Sequence, residues 1–131
     1  MPKRREPITA VGAPAAVGPY SQAVSSNGFL FCSGQIPLDS ESGEVVGATP
    51  GEQVRQCLDN LAAVCAAAGA TLGDAVRLTV YMTDIAAFAE VNEVYDGYFA
   101  ADPPARAAVG VAGLPKGVQV EVDAIVALPD A

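Results

Sequence analysis

Between Ala75 and Thr83 the chain alternates without a break: Val76, Leu78, Val80 and Met82 are apolar, while Arg77, Thr79, Tyr81 and Thr83 are not. A repeat of two is the signature of a strand with one buried face. Such a strand needs a second layer to cover that face, and the flanking segments supply it. Upstream, Thr49-Pro50-Gly51-Glu52 has the spacing of a capping box with proline at the first helical position. Val54, Leu58, Leu61, Cys65 and Ala68 then recur at three- and four-residue steps, and Gly69 marks the C-terminal stop. Downstream, Asp84 can cap a second helix whose apolar stripe is Phe88, Val91, Tyr95, Tyr98 and Phe99, ended by Pro103-Pro104.

Asn27-Gly28 separates two further strand candidates, Tyr20–Ser26 and Phe29–Ile36, and supplies the two positive-φ residues of a hairpin turn. A short extended piece, Ile8 to Val11, precedes them, and Asp39 to Gly47 reads as a polar surface loop. Arg106 to Val111 and Val118 to Leu128 read as a final hairpin around Gly113-Leu114-Pro115-Lys116-Gly117. The order β, ββ, α, β, α, ββ predicts one α+β domain over residues 1–131, with two helices on one face of a mixed sheet. The other face carries Thr79, Tyr81 and Glu121, a half-polar surface that is either solvated or covered by another subunit.

Composition narrows what such a domain can do. With 51% apolar and 17% charged residues, the chain lacks the low hydrophobicity of intrinsic disorder. Its longest apolar run, Leu61 to Ala68, is eight residues, too short to span a bilayer. Seven Lys/Arg against fifteen Asp/Glu give a net charge of −8. Lys3, Arg4 and Arg5 cluster at the N-terminus, leaving Arg55, Arg77, Arg106 and Lys116 in the body. This balance argues against nucleic acid as a partner, so an anionic ligand must be caught by one or two placed cations. The absence of histidine removes Ser-His-Asp and Cys-His catalysis and the commonest transition-metal ligand. Cys32, Cys57 and Cys65 form no CxxC pair and fall in apolar patterns, which suits buried hydrophobes in a reducing compartment. Gly12, Pro14, Gly18 and Pro19 interrupt the stretch after the basic cluster, so no signal-peptide core forms and the chain reads as cytoplasmic. Neither a metal-spaced cluster nor a phosphate-cradling glycine loop is present, and no cofactor is expected.

Four places could carry chemistry. Gly18-Pro19-Tyr20-Ser21-Gln22 and Cys32-Ser33-Gly34-Gln35 set glycine beside hydroxyl and amide groups, either as ordinary turns or where backbone must approach a ligand. Asn92 sits inside a helix, where a hydrogen bond to a neighbouring loop is its simplest use. Arg106 follows Pro103-Pro104-Ala105 and opens a strand of small residues, which implies rigid, poorly hydrated surroundings. It suits either bidentate carboxylate capture or an internal ion pair. Glu121 lies opposite the Val118/Val120/Val122 face of the last strand, either simply solvated with Gln119 and Asp123 or positioning a water. With the ordinary glutamate pKa of about 4.3 it is ionised at neutral pH.

Together these segments resemble the RidA/YjgF family of reactive-intermediate deaminases. The matching stretches are Gly18 to Ala23, Ser33 to Ile36, Asn60-Leu61, Asn92 to Tyr95, Pro104-Ala105-Arg106, Leu114 to Gly117 and Val120-Glu121-Val122, in order and along nearly the whole chain. The resemblance implies a chorismate-mutase-like α+β subunit in a homotrimer with a ligand cleft at each subunit interface. It implies hydrolysis of enamine and imine acids such as 2-aminoacrylate to a 2-oxo acid and ammonia. By position, Arg106 then holds the substrate carboxylate and Glu121 orients the attacking water, while Tyr20, Ser33, Gly34, Asn92, Ala107 and Ala108 line the pocket. Many relatives carry cysteine where this chain has Ala108. The competing reading is a trimeric module that binds a small 2-oxo or amino acid without turnover.

Overall fold

The computed structural model describes residues 4–99 and 101–129. Lys3 of the basic cluster lies outside them. The chain begins with β1 (Glu6–Ile8), followed by the hairpin of β2 (Ala23–Ser26) and β3 (Phe29–Gln35). Asn27 and Gly28 take φ of 52° and 84°, and this two-residue turn sets Ser26 opposite Phe29. The predicted strand from Tyr20 is shortened because Gln22 turns inward. Its buried side chain accepts from the N–H of Ala10 at 2.6 Å and donates to the carbonyls of Ala10 and Pro14 at 3.0 and 2.8 Å. The segment before β2 is thereby tied down by one amide rather than by sheet pairing.

Helix α1 (Pro50–Ala67) starts as its sequence predicts: Thr49 Oγ1 accepts from the Glu52 N–H at 3.2 Å, and Glu52 accepts from the Thr49 N–H at 3.1 Å. Gly69, at φ 80°, takes the left-handed conformation that turns the chain away beyond its end. Strand β4 (Ala75–Met82) buries Leu78, Val80 and Met82, but Val76 is 42% exposed. The ladder to the last strand slips between Ala75 and Arg77 and carries Val76 out of the alternation. After a 3₁₀ turn capped by Asp84, α2 (Phe88–Asp96) ends well before Pro103-Pro104. Tyr98 and Phe99 reach the core from beyond it rather than from its stripe.

The main correction concerns the C-terminal half. β5 (Ala105–Gly110) and β6 (Val120–Ala127) do not pair with each other; the sheet order is β1-β2-β3-β6-β4-β5. β5 lies parallel to β4, as an α2 crossover requires, and β6 enters antiparallel between β3 and β4. The mixed sheet and its two helices form the expected α+β architecture. Leu30, Leu78, Val80, Val120, Val122 and Val126 meet Val54, Leu58, Leu61 and Val64 of α1 in the core. The other sheet face stays open: Phe31 is 46% exposed beside its partner Ile125. Among the described residues no helix is long and apolar enough to cross a membrane.

Replacing Gln22 by Met would strand the buried Ala10 N–H and should cost about 1–3 kcal/mol. A lower urea midpoint at unchanged slope is the expected reading, and an unchanged midpoint would show that other contacts hold the loop.

Candidate active site

The β3–β6 ladder slips between Cys32 and Gln35, so Ser33 and Gly34 bulge out of register. Ser33 uses its hydroxyl structurally, donating to the Ser21 carbonyl at 2.6 Å, while its N–H bonds the Gln22 carbonyl at 3.0 Å. These bonds stitch the Tyr20 loop to the bulge. Gly34 lies directly under the Glu121 carboxylate, and a Cβ there would overlap Glu121 Oε2. Above this floor opens a cleft of about 340 Å³ walled by Tyr20, Gly34, Ile36, Leu38, Lys116 and Glu121. Lys116 arrives on a Pro-Lys-Gly turn in the left-handed conformation, φ 57°, and its Nζ donates to the Gly43 carbonyl at 3.3 Å. Lys116 and Gln22 both border this cleft; both stand in stretches marked in the sequence, yet neither was expected to line a pocket. A lysine between proline and glycine in a tight turn was the available signal for the first.

Glu121 is half-buried, and its carboxyl does not keep the ordinary value expected from sequence. Burial, and after it the negative charge of Asp123, push its pKa upward. Burial likewise pushes the Cys57 thiol up, with the Glu121 charge adding to the effect, so Cys57 is no ready thiolate. All three cysteines are buried. Among the described residues no cluster of His, Cys, Asp and Glu could hold a metal ion.

Arg106 sits elsewhere. Its Nη1 donates to Asn92 Oδ1 of α2 at 2.6 Å, and the guanidinium carbon lies 4.7 Å from the Tyr95 ring centroid and 5.2 Å from that of Phe88. Asn92 therefore bonds a side chain on β5, not a loop. Because this partner is a neutral amide, the guanidinium charge is left to be matched, with donors to spare. Arg106 is exposed in the single chain, unlike the poorly hydrated site expected. It borders a separate hollow of about 290 Å³ with Asn92, Tyr95, Phe99, Pro103 and Pro104. Ala108 is half-buried on the same side of β5, whereas Ala107 pairs with Thr79 toward the open face. β5 is the sheet edge, so part of its backbone has no strand partner among the described residues.

The strand register shows how far apart the two centres stand. Arg106 pairs with Leu78 and Glu121 with Tyr81, which places their Cα atoms roughly 14 Å apart, two strands across and three residues along. Leu78 faces the helices and Tyr81 the open side, so Arg106 and Glu121 project from opposite faces. Tyr20, Gly34 and Glu121 share one cleft; Asn92 and Arg106 share another.

Such a fold, an α+β sheet carrying two separate clefts, has close counterparts. The family model described as Endoribonuclease L-PSP matches residues 11–128. A RutC family protein of Sinorhizobium fredii is 49% identical over 123 residues, covering 94% of this chain and 98% of that protein. The Mus musculus protein named 2-iminobutanoate/2-iminopropanoate deaminase is 45% identical over 121 residues, 92% of this chain and 90% of its own length. The crystal structure of RidA from an Antarctic Psychrobacter superposes with a TM-score of 0.90 at 42% identity, over 94% of this chain and 99% of that one. The chain belongs to the Endoribonuclease L-PSP family, the YjgF/RidA proteins.

The Gly34–Glu121 contact is testable. Because the overlapping atoms are the end of a flexible side chain, Gly34→Ala should push the carboxylate aside and destabilise the fold by about 1 kcal/mol, the low end of overpacking costs. Most of that loss should vanish when Glu121 is also alanine. A double-mutant cycle without coupling would mean that something else forbids a side chain at position 34.

Proposed function

We propose that this protein hydrolyses 2-imino acids and their enamine tautomers to 2-oxo acids and ammonia, in a site completed only when two copies of the chain meet. The observation that carries the reading is the division of labour between the half-sites. One offers an arginine whose side-chain partner is neutral, and the other a half-buried carboxylate with raised proton affinity over a glycine floor. Relatives named as imine deaminases at 43–45% identity support the same reaction class.

An imine carbon is already electrophilic, so the chemistry asks for positioning and proton movement more than for activation. Arg106 takes the substrate carboxylate through a two-donor fork, with Asn92 and the Tyr95 and Phe88 rings fixing its orientation. Glu121 takes a proton from water as the water oxygen bonds to the imine carbon and the C=N pair moves to nitrogen. Glu121 returns that proton to the nitrogen and then relays the hydroxyl proton to it as well, so that ammonia leaves as the carbonyl forms. Tyr20 and Gly34 border the space in which this occurs. Ala107 and Ala108 offer edge-strand backbone rather than side-chain chemistry.

One small imino acid cannot span the separation between Arg106 and Glu121 within a chain. A homotrimer with a cleft at each interface resolves this by pairing the Arg106 hollow of one copy with the Glu121 cleft of the next, and by covering the open face. A monomeric mass by light scattering at micromolar concentration would count against it.

Activity measurements separate the roles. Arg106→Ala should lose one to two powers of ten in 2-oxo acid affinity, given roughly 1.5–3 kcal/mol for a charged hydrogen bond. Glu121→Gln should lose about 10²–10⁴-fold in turnover and much less in binding. Assays use imine generated by a dehydratase, with ammonia and 2-oxo acid release as the readout. Binding without turnover in the parent would favour the ligand-binding module instead. Dissociating and reassembling the two inactive variants together at equal amounts should restore about a quarter of parental activity, because a random interface combines two intact halves that often. Failure to complement would place both residues in one copy's site.

A further inference from the structure

On β6, Glu121 and Asp123 share the open face two residues apart, with Cα atoms roughly 7 Å from each other. On β4, Tyr81 stands opposite Glu121 and Thr79 opposite Asp123. The Tyr81 hydroxyl passes over its direct partner and donates diagonally to Asp123 Oδ2 at 2.9 Å. This choice has a chemical consequence. A hydroxyl given to Glu121 would stabilise its anion and weaken it as a base. Given to Asp123, it holds a second negative charge beside Glu121 and leaves the Glu121 oxygens to the cleft.

The remaining neighbours of Glu121 do not cancel that charge. From β3 come Gly34 and Gln35, both uncharged, and from the loops Tyr20 and Lys116, a cation whose ammonium is held at the Gly43 carbonyl rather than at Glu121. From α1 the Cys57 thiol lies within reach of the Glu121 charge. Arg77 on the open face of β4 stands opposite Ile125, beyond Asp123. Burial and the Asp123 charge are the two causes that displace the Glu121 carboxyl upward.

We propose that Asp123, held in place by Tyr81, is a positioning residue for Glu121: it keeps a second negative charge beside that carboxylate and draws the Tyr81 hydroxyl away from it, and so sets the pH range in which the cleft can take a proton from water. This rests on Glu121 acting as the base, so the test has one arm that needs no turnover. The Glu121 side-chain carboxyl carbon is titrated by ¹³C NMR, its resonance identified by its loss in Glu121→Gln. Asp123→Asn should lower its midpoint, and Asp123→Glu, which keeps the charge, should leave it near the parent's. Asp123→Thr, a good strand former without the charge, must behave as Asp123→Asn does. In the pH profile of imine hydrolysis, the acid limb should move with the NMR midpoint. At the pH where the parent runs at half its plateau, Asp123→Asn should approach its own lower plateau, a gain of up to about twofold in fractional activity. Equal midpoints in parent and Asp123→Asn, or equal displacement by Asn and Glu, overturn the proposal. If the parent hydrolyses no imine, the proposed function falls while the NMR titration still decides the role of Asp123.

Discussion

Three buried amides decide where the cleft walls stand. The walls are loops whose backbone groups, buried or half-buried and outside any strand ladder, take partners from within the chain. Gln22 serves Ala10 and Pro14. Gln53 of α1 donates to the Gly47 carbonyl at 3.1 Å and accepts from the Gln119 N–H at 2.7 Å. Asn60, about two turns further along α1, donates to the carbonyls of Ile36 and Leu38 at 3.3 and 3.0 Å. Two of the three sit on α1, whose apolar face is packed into the core. The position of Ile36 and Leu38 in the cleft thus follows from the seating of one helix on the sheet.

The parts of this structure that local chemistry controls were legible in the residues. The Thr49–Glu52 box, the Asn27-Gly28 turn and the alternation of Leu78, Val80 and Met82 each act over a few residues, and each formed as read. What escaped depends on partners far along the chain. Val76 looked like a core residue until the ladder with β6 slipped beside it. The apparent hairpin of β5 and β6 failed because the α2 crossover takes β5 to the far side of β4. The site divided in the same way. Alternation among the valines of β6 assigned Glu121 to the open face correctly. No such parity exists in Ala105 to Val109, where small residues suit either side, so the face of Arg106 became visible only through its register with Leu78.

Electrostatics in a chain of net charge −8 reward economy with cations. An ion pair at Arg106 would have spent one of the few body cations on stability. Bonding it to Asn92 and laying it near two aromatic rings orients the guanidinium without neutralising it. The same economy governs the carboxylates of the open face, where Tyr81 satisfies Asp123 and leaves Glu121 without a competing donor.

The close fit of Gly34 beneath Glu121 also ties together what can happen at these two positions in descendants of this sequence. A side chain at position 34 pushes the flexible end of Glu121 out of its place over the floor, whereas Glu121 can shrink with the glycine still in place. Once a larger residue has filled that space, reversion at 121 alone no longer returns the carboxylate to where it stood. In a lineage of such chains, a residue other than glycine at position 34 would therefore record that the carboxylate had left this place.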